Sequence, residues 1–314
     1  MSKNILVVLT RDQVNYSKKL IGLKLPGLEI IVPKNPYKVG PEIKRANILF
    51  ANPLMAKEYI NEAKHVVWMQ STFAGIDAMN APSLRKDYVL TNARGIYGEA
   101  IAEYVFSYIL LFEKEILENI IYQKKSTWQQ RDARVLRDKT ICILGAGSIG
   151  KSISRVAKAF NMRTLGYRNQ NELADFFDQI FVGKNLKTCL AQADYIVNTL
   201  PNTQNTTNII NKDTIALMKK GSVFINVGRG NAVNEEDLIQ ALKQNKLARA
   251  VLDVFNDEPL PKSSALWNTN NVYITPHMAS YVVSDKIFSI FAENYKRFKR
   301  GQELLYKVDF EKGY

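Results

Sequence analysis

Residues 145–150 read Gly-Ala-Gly-Ser-Ile-Gly, directly behind the apolar run Ile141-Cys142-Ile143-Leu144 and ahead of a stretch, 151–160, with helical spacing. Strand, glycine turn and helix in that order make a phosphate cradle. Gly145 permits the tight turn, Gly147 lets backbone approach a pyrophosphate, and Gly150 lets the helix press on the strand. Around Ser148 and Ile149 the helix start offers unpaired N–H groups and the positive end of its dipole. A dinucleotide is the expected ligand. The residue that reads its adenosine ribose, about 20 positions further on, is ordinarily Asp or Glu. Here the next expected strand, 163–167, ends in Arg168-Asn169-Gln170. A guanidinium fork pairs with a 2′-phosphate where a carboxylate would repel it. NADP(H) is therefore the preferred cofactor expected, with NAD(H) the alternative should Arg168 be only a surface charge.

In a doubly wound sheet, ligands gather beyond the carboxyl ends of the strands. Arg229 follows the expected strand 223–227 in NVGRG, Glu258 follows 248–254 in LDVFNDEP, and His277 follows 272–274 in ITPHMAS. With parallel strands, all three face the edge that carries the glycine loop. Such a trio could run hydride exchange at a carbinol carbon. The histidine would protonate the alkoxide, a glutamate on its other nitrogen would favour the imidazolium, and the arginine would orient and polarise a keto acid. Singly, each has a plainer reading, because most arginines and glutamates are surface charges and a lone histidine is often structural. His65, in EAKHVVW, keeps that plainer reading; His277 is set apart by its neighbours.

The elements that must position these residues alternate along the chain. Strands are expected at 4–9, 29–32, 48–51, 66–69 and 88–91, with a helix at 55–63. A second alternating region places strands at 140–144, 163–167, 195–198, 223–227, 248–254 and 272–274, and the chain is helical again from about 283 to 300. Short apolar strands separated by helices mean parallel sheets covered on both faces. The fold expected is α/β with two doubly wound domains. Between the two regions, GEAIAEYVFSYILLFEKEILENI from Gly98 repeats its apolar residues at helical spacing (Ile101, Val105, Tyr108, Ile109, Phe112). It reads as a core or domain-crossing helix, or as a helix at a dimer interface.

Composition narrows the class. The chain has 314 residues, 46% hydrophobic and 23% charged, which is the make-up of a folded protein with a sizeable core. Its richest apolar stretch, 104–112, is too short to span a bilayer, and MSKNILVVLT reads as a first strand and not a secretory leader. Two cysteines, Cys142 and Cys189, cannot make a zinc quartet, so no metal is expected, and reduced thiols suit a cytoplasmic protein. The unusual number is 43 Lys+Arg against 30 Asp+Glu, a net charge of +13. The basic residues are scattered in short runs, whereas nucleic-acid binders gather them on one face. Neither a nucleic acid nor a membrane is expected as a partner.

Taken together, these stretches resemble the D-isomer-specific 2-hydroxyacid dehydrogenase family over nearly the whole chain. The residues that carry the resemblance are Ser71-Thr72-Phe73-Ala74-Gly75-Ile76-Asp77, Thr91-Asn92-Ala93-Arg94-Gly95, GAGSIG, LPNTQNTT from Leu200, NVGRG, LDVFNDEPLP and TPHMA. The tail from Asn294 to Tyr314 resembles the glyoxylate/hydroxypyruvate reductase-like branch. The resemblance implies a flavodoxin-like substrate-binding domain, 1–93 with 283–314, and a Rossmann dinucleotide-binding domain, 94–282. It implies Arg229, Glu258 and His277 as the catalytic set, with Arg229 also on the substrate. Backbone amides around Ala74-Gly75 would clamp the substrate carboxylate, so catalysis would require domain closure. Pro201, Thr206, Val227 and Asp253 would lie along the cofactor, with Asp253 near the nicotinamide amide. Arg168 departs from the acidic residue of the commoner pattern. The implied reaction is reduction of a small anionic 2-keto acid to a D-2-hydroxy acid, and the implied assembly is a homodimer. A phosphite dehydrogenase-like oxidoreductase shares the Arg/Glu/His frame. A non-catalytic corepressor-like dinucleotide-binding protein is the other alternative, although nothing here resembles an appended peptide-recruiting or DNA-binding segment. Phe73, Tyr97, Trp267 and Tyr281 are candidates to line the substrate pocket, and packing would explain them equally well.

Overall fold

The computed structural model of the protein describes residues 3–132, 134–169, 174–280 and 285–312. The chain forms two compact units, residues 1–96 with 283–314 and residues 97–282. Each is a parallel α/β sheet, and the fold is the two-domain arrangement of a flavodoxin-like and a Rossmann-type sheet.

The first unit runs β1 (Asn4–Leu9), α1 (Gln13–Gly22), β2 (Leu28–Ile31), α2 (Glu42–Arg45), β3 (Ile48–Ala51), α3 (Pro53–Ala56), β4 (Trp68–Ser71) and β5 (Val89–Thr91). Its strands lie in the order β2-β1-β3-β4-β5, all parallel. β3 and β4 are buried throughout; β3 therefore reads as an unbroken apolar run and not as alternation, while β4 also buries the polar Gln70 and Ser71. The C-terminal helix Lys286–Lys299 returns to this unit. Phe291 stacks on Trp68 (5.2 Å between centroids) and meets Phe50 edge-on (5.4 Å). Buried Asn294 ties down the tail, donating to the Leu305 carbonyl (3.1 Å) and accepting from the Leu305 N–H (2.7 Å).

One expected helix differs here. Instead of 55–63, a single helical turn begins at Pro53, capped by Asn52 whose side chain accepts from the Leu54 N–H (2.9 Å). Proline at the first helical position and an asparagine cap are strong start signals, and they outrank the apolar spacing that suggested residue 55. Beyond Ala56 the chain continues through successive turns. His65 is exposed on the last of them, before β4.

The second unit runs α4 (Gly98–Glu113), α5 (Ile116–Lys124), β6 (Thr140–Leu144), α6 (Ser148–Ala159), β7 (Arg163–Tyr167), β8 (Gln179–Phe181), α7 (Leu186–Leu190), β9 (Tyr195–Asn198), α8 (Lys212–Leu217), β10 (Ser222–Asn226), α9 (Glu235–Lys243), β11 (Leu247–Leu252) and β12 (Val272–Ile274). The C-terminal helix described above is α10. The order β12-β11-β10-β9-β6-β7-β8 is parallel throughout. Strand order reverses between β6 and β9, and a crevice for a ligand opens at such a reversal. β8 is a short edge strand, and its three residues carry too little apolar pattern to read in advance.

The long helical stretch from Gly98 is broken. α4 buries Ile101, Val105, Ile109 and Phe112, then Glu115 takes a left-handed conformation (φ 48°) and α5 sets off with none of its residues buried. Buried Glu113 marks the end of the packed part, accepting from the Tyr195 hydroxyl and pairing with Arg134 at 3.3 Å. The apolar spacing runs on through the break, so sequence periodicity could not place it. Cys142 and Cys189 are both buried free thiols. Among the described residues, no helix is long and apolar enough to cross a membrane, and no cluster of His, Cys, Asp and Glu could hold a metal.

Candidate active site

The glycine loop occupies the reversal point. β6 ends at Leu144, and Gly145 turns the chain with φ at 104°. The Gly145 N–H donates to the Tyr167 carbonyl (2.9 Å), and the Thr199 hydroxyl donates to the Gly145 carbonyl (2.9 Å), so strands on both sides hold the turn. α6 begins at Ser148, inside the motif, with Gly147 as its cap and no side chain on the cap position. The first intrahelical donor is the Lys151 N–H, to the Gly147 carbonyl (2.9 Å), which leaves the N–H groups of Ser148, Ile149 and Gly150 for a ligand. A Cβ at Gly147 would meet nothing within 4 Å, whereas one at Gly150 would lie 2.2 Å from the Gly145 carbonyl oxygen. Open space at one glycine, backbone contact at the other and uncapped donors together fit a bound pyrophosphate. Arg168 follows β7, half-buried, with its backbone N–H on the Phe181 carbonyl (3.1 Å). Gln170 lies outside the described residues.

The loop after β9 is shaped by its own threonines. The Thr206 hydroxyl donates to the Pro201 carbonyl (2.7 Å) and accepts from the Thr203 N–H (2.9 Å). Thr206 thus folds the turn against Pro201. Val227 is buried just past β10, its N–H on the Asn198 carbonyl (3.1 Å).

Arg229, Glu258 and His277 follow β10, β11 and β12, three adjacent strands. His277 Nδ1 lies 2.7 Å from Glu258 Oε2, and the side chains are 48% and 36% exposed, so the pair is accessible from solvent. The other Glu258 oxygen accepts from the Phe255 N–H (3.0 Å). Partial burial pushes the Glu258 carboxyl up, but the His277 hydrogen bond, the Phe255 N–H and the His277 and Arg229 charges outweigh it and hold it below its ordinary value. Because Nδ1 faces the carboxylate, Nε2 is the nitrogen left to exchange a proton.

Backbone packing sets the arginine. Asn226, buried at the end of β10, donates to the Arg229 carbonyl (3.1 Å) and accepts from Asn198 (2.9 Å) and from the Gly228 N–H (3.2 Å). The glycines on either side of Arg229 are there for contact: a Cβ on Gly228 would sit 2.7 Å from the Leu200 carbonyl oxygen, and one on Gly230 would sit 1.9 Å from the Phe255 carbonyl carbon. The G-R-G spacing therefore lets this loop press on both neighbouring loops, a signal present in NVGRG that the charge of Arg229 overshadowed.

Asp253 has a task that the sequence did not disclose. Only 2% exposed, it accepts from the Thr275 hydroxyl (2.6 Å), the Met278 N–H (2.8 Å) and the Ala279 N–H (2.9 Å). Its backbone carbonyl takes the His277 N–H (2.8 Å). His277 itself is left-handed (φ 51°), a conformation that persists in an ordinary residue only where its surroundings enforce it.

In the first unit, the Phe73–Gly75 turn follows β4. The Ala74 carbonyl accepts from Asn92 (2.9 Å), and within that unit the Ala74 and Gly75 N–H groups have no acceptor among the described residues. Phe73 is exposed there. In the second unit Tyr97 stands at the start of α4, and Trp267 is exposed with its indole N–H on the Pro261 carbonyl (3.0 Å). Tyr281 lies outside the described residues.

Comparison with known proteins bears on the same positions. Residues 106–279 match the family described as "D-isomer specific 2-hydroxyacid dehydrogenase, NAD binding domain". A D-isomer specific 2-hydroxyacid dehydrogenase family protein of Aeromonas salmonicida subsp. salmonicida is 40% identical, with a TM-score of 0.93 over 98% of this chain and 100% of that one. Glyoxylate/hydroxypyruvate reductase A of Serratia proteamaculans is 32% identical over 69% of each chain. The NADPH-dependent glyoxylate/hydroxypyruvate reductase of Sinorhizobium meliloti, solved with NADP and sulfate, is 25% identical with a TM-score of 0.89, over 99% of this chain and 100% of that one. With the cradle at the sheet's reversal point and the family match spanning it, this chain belongs to the D-isomer specific 2-hydroxyacid dehydrogenase family and is an NAD(P)-dependent oxidoreductase.

Proposed function

We propose that the chain reduces a small 2-keto acid of the glyoxylate or hydroxypyruvate kind to the D-2-hydroxy acid, with NADPH as the preferred cofactor. The observation that carries this reading is the His277–Glu258 pair at 2.7 Å, on the strand edge that also bears Arg229 and the glycine cradle. The names of the Serratia and Sinorhizobium relatives support the substrate class.

The nicotinamide, when bound, supplies the hydride. The chain's own residues do the rest. Gly145 makes the turn that brings the loop to the pyrophosphate, Gly147 lets the backbone approach it, the N–H groups of Ser148, Ile149 and Gly150 hold it, and Arg168 pairs with the ribose 2′-phosphate. Pro201, Thr206 and Val227 shape the cofactor's edge of the crevice. Arg229 binds the keto acid and draws charge toward its carbonyl oxygen. As the carbonyl carbon gains the hydride, His277 Nε2 gives a proton to the oxygen that becomes the hydroxyl. Glu258 holds the imidazole through Nδ1 and balances its charge. We assign residues 94–282 to the dinucleotide and residues 1–93 with 283–314 to the substrate, whose carboxylate the Ala74 and Gly75 N–H groups bind. We also assign α5 and the segment after it to a homodimer contact, since Ile116, Ile120, Ile121 and Trp128 are 41%, 42%, 50% and 90% exposed.

The test is turnover of glyoxylate, hydroxypyruvate, pyruvate, phenylpyruvate and phosphite with each cofactor, in wild type and His277→Ala. The variant should lose about 10²–10⁴-fold in kcat, the usual share of a general acid, while still binding NADPH. Wild-type turnover by His277→Ala would refute the mechanism. Oxidation of phosphite with no keto acid reduced would favour the rival substrate class.

A further inference from the structure

Asp253 does not reach the histidine loop alone. The Tyr104 hydroxyl, on α4, lies 2.6 Å from the Thr275 hydroxyl oxygen, which in turn lies 2.6 Å from Asp253 Oδ1. The donor order follows from valence. An ionised carboxylate only accepts, so Thr275 spends its one proton on Asp253 and can only accept from Tyr104. Tyr108, one helical turn on, packs its ring against that of Tyr104 (5.1 Å between centroids). Burial raises the Tyr104 phenol well above its ordinary range, so it remains a neutral O–H donor wherever the enzyme works. The chain Tyr104, Thr275, Asp253 thus runs in one direction and ends on the carboxylate that grips the Met278 and Ala279 N–H groups. Oδ1 accepts from both Thr275 and Met278, so the orientation of this carboxylate sets the backbone of residues 275–279 and the left-handed turn at His277.

We propose that Tyr104 is a positioning residue for His277, acting through Thr275 and Asp253 to hold the proton-donating loop in its reactive conformation. This rests on the role proposed above for His277. Without the phenol, Thr275 loses the one donor it has among the described residues, its hydroxyl is free to turn from Asp253, and the loop gains alternative conformations. Misplacement of a reacting group by about an ångström can cost on the order of 10²-fold in rate. The loss expected for one link of several is smaller.

The experiment compares Tyr104→Phe, Thr275→Val, Thr275→Ser and the double variant Tyr104→Phe/Thr275→Val with the intact enzyme, using glyoxylate and saturating NADPH. Tyr104→Phe should lower kcat by about tenfold, with the Kd for NADPH and the KM for glyoxylate within about twofold of wild type. The double variant should be no more than about twofold slower than Thr275→Val alone, because both changes cut the same chain of bonds. Thr275→Ser, which keeps the hydroxyl, should recover most of what Thr275→Val loses. A Tyr104→Phe enzyme with wild-type kcat overturns the proposal, and so do losses that multiply in the double variant. Should Tyr104→Phe fail to fold, the Thr275 pair decides: equal loss in the serine and valine variants overturns it. His277→Ala reads the underlying mechanism separately, since turnover surviving there refutes that mechanism whatever Tyr104→Phe does.

Discussion

Two glycines of the cradle, three residues apart, should respond to the same methyl group in opposite ways. At Gly147 an added Cβ meets nothing within 4 Å, and φ is −86°, which any residue adopts. Removing a glycine stabilises by about 0.4–1 kcal/mol through the unfolded chain, and alanine is a poorer helix cap than glycine by a similar amount. The terms offset, so Gly147→Ala should melt within about 3 °C of wild type. At Gly150 the same atom would lie 2.2 Å from the Gly145 carbonyl oxygen and 3.3 Å from Ile143 Cγ2. The first contact is backbone and cannot swing aside, so α6 must withdraw from the turn. Overpacking of this kind costs about 1–3 kcal/mol, or roughly 2–12 °C in a domain of this size. Binding should separate the two differently. The empty space at Gly147 is where the pyrophosphate approaches, and each charged hydrogen bond lost there is worth about 1.5–3 kcal/mol, which is about 10–100-fold in Kd. Thermal melts with and without NADPH, and a fluorescence titration for Kd, measure both quantities. At about 100 times the wild-type Kd the cofactor should stabilise wild type by roughly 2.7 kcal/mol, a shift that should fall to roughly 0.4–1.4 kcal/mol in Gly147→Ala. A Gly147→Ala protein that binds NADPH as wild type does refutes the cradle. A Gly150→Ala protein that melts at the wild-type temperature refutes the packing argument.

Three further outcomes follow from the site. Arg168→Asp should cut kcat/KM for NADPH by about 10–100-fold while leaving or improving NADH use, since one charged phosphate contact is removed; equal use of both cofactors by wild type would sink the assignment. Glu258 is held below its ordinary value of 4.5, so its contribution is fully present above that pH and is lost as pH falls through the lower folded value. The melting difference between wild type and Glu258→Gln should thus close as the pH falls below 4.5, and a difference that is unchanged on going from about pH 5 to about pH 3 would contradict it. Replacing Ile121 and Trp128 together by glutamate should convert a sedimenting dimer to a monomer with little change in melting of the remainder, because both side chains are exposed in the single chain. A wild-type chain that sediments as a monomer at all concentrations removes the basis for that contact.

Most strands were legible because a buried parallel strand keeps a short, largely apolar stretch: 48–51, 140–144 and 195–198 are buried throughout, and 4–9, 163–167 and 272–274, only partly buried, still keep apolar residues between polar turns. Others slipped by one or two residues, as 66–69 did against Trp68–Ser71, because hydrophobicity marks the buried stretch and not the hydrogen-bonded register. Arg229, Glu258 and His277 could be singled out for a related reason: in parallel strands, a polar residue just past the carboxyl end lies on a known edge. The bonds that tie Asp253 to the histidine loop could not, and neither could Thr275 and Tyr104. Each is an ordinary residue in its own segment, and their link joins positions 171 apart along the chain at a hydrogen-bond distance.

What the sequence determined by itself was therefore periodic or local: two parallel sheets, a glycine turn between strand and helix, and charged residues at strand ends. Tertiary structure alone decided which oxygens accept which protons. It gave Asp253 to the histidine loop, Asn226 to the Arg229 carbonyl, and Glu115 the left-handed break that turns α5 away from the core. The physical reason is that periodicity records burial, which is spread over many residues and survives noise. A hydrogen bond depends on two atoms meeting within a few tenths of an ångström, and only the packed chain brings them there.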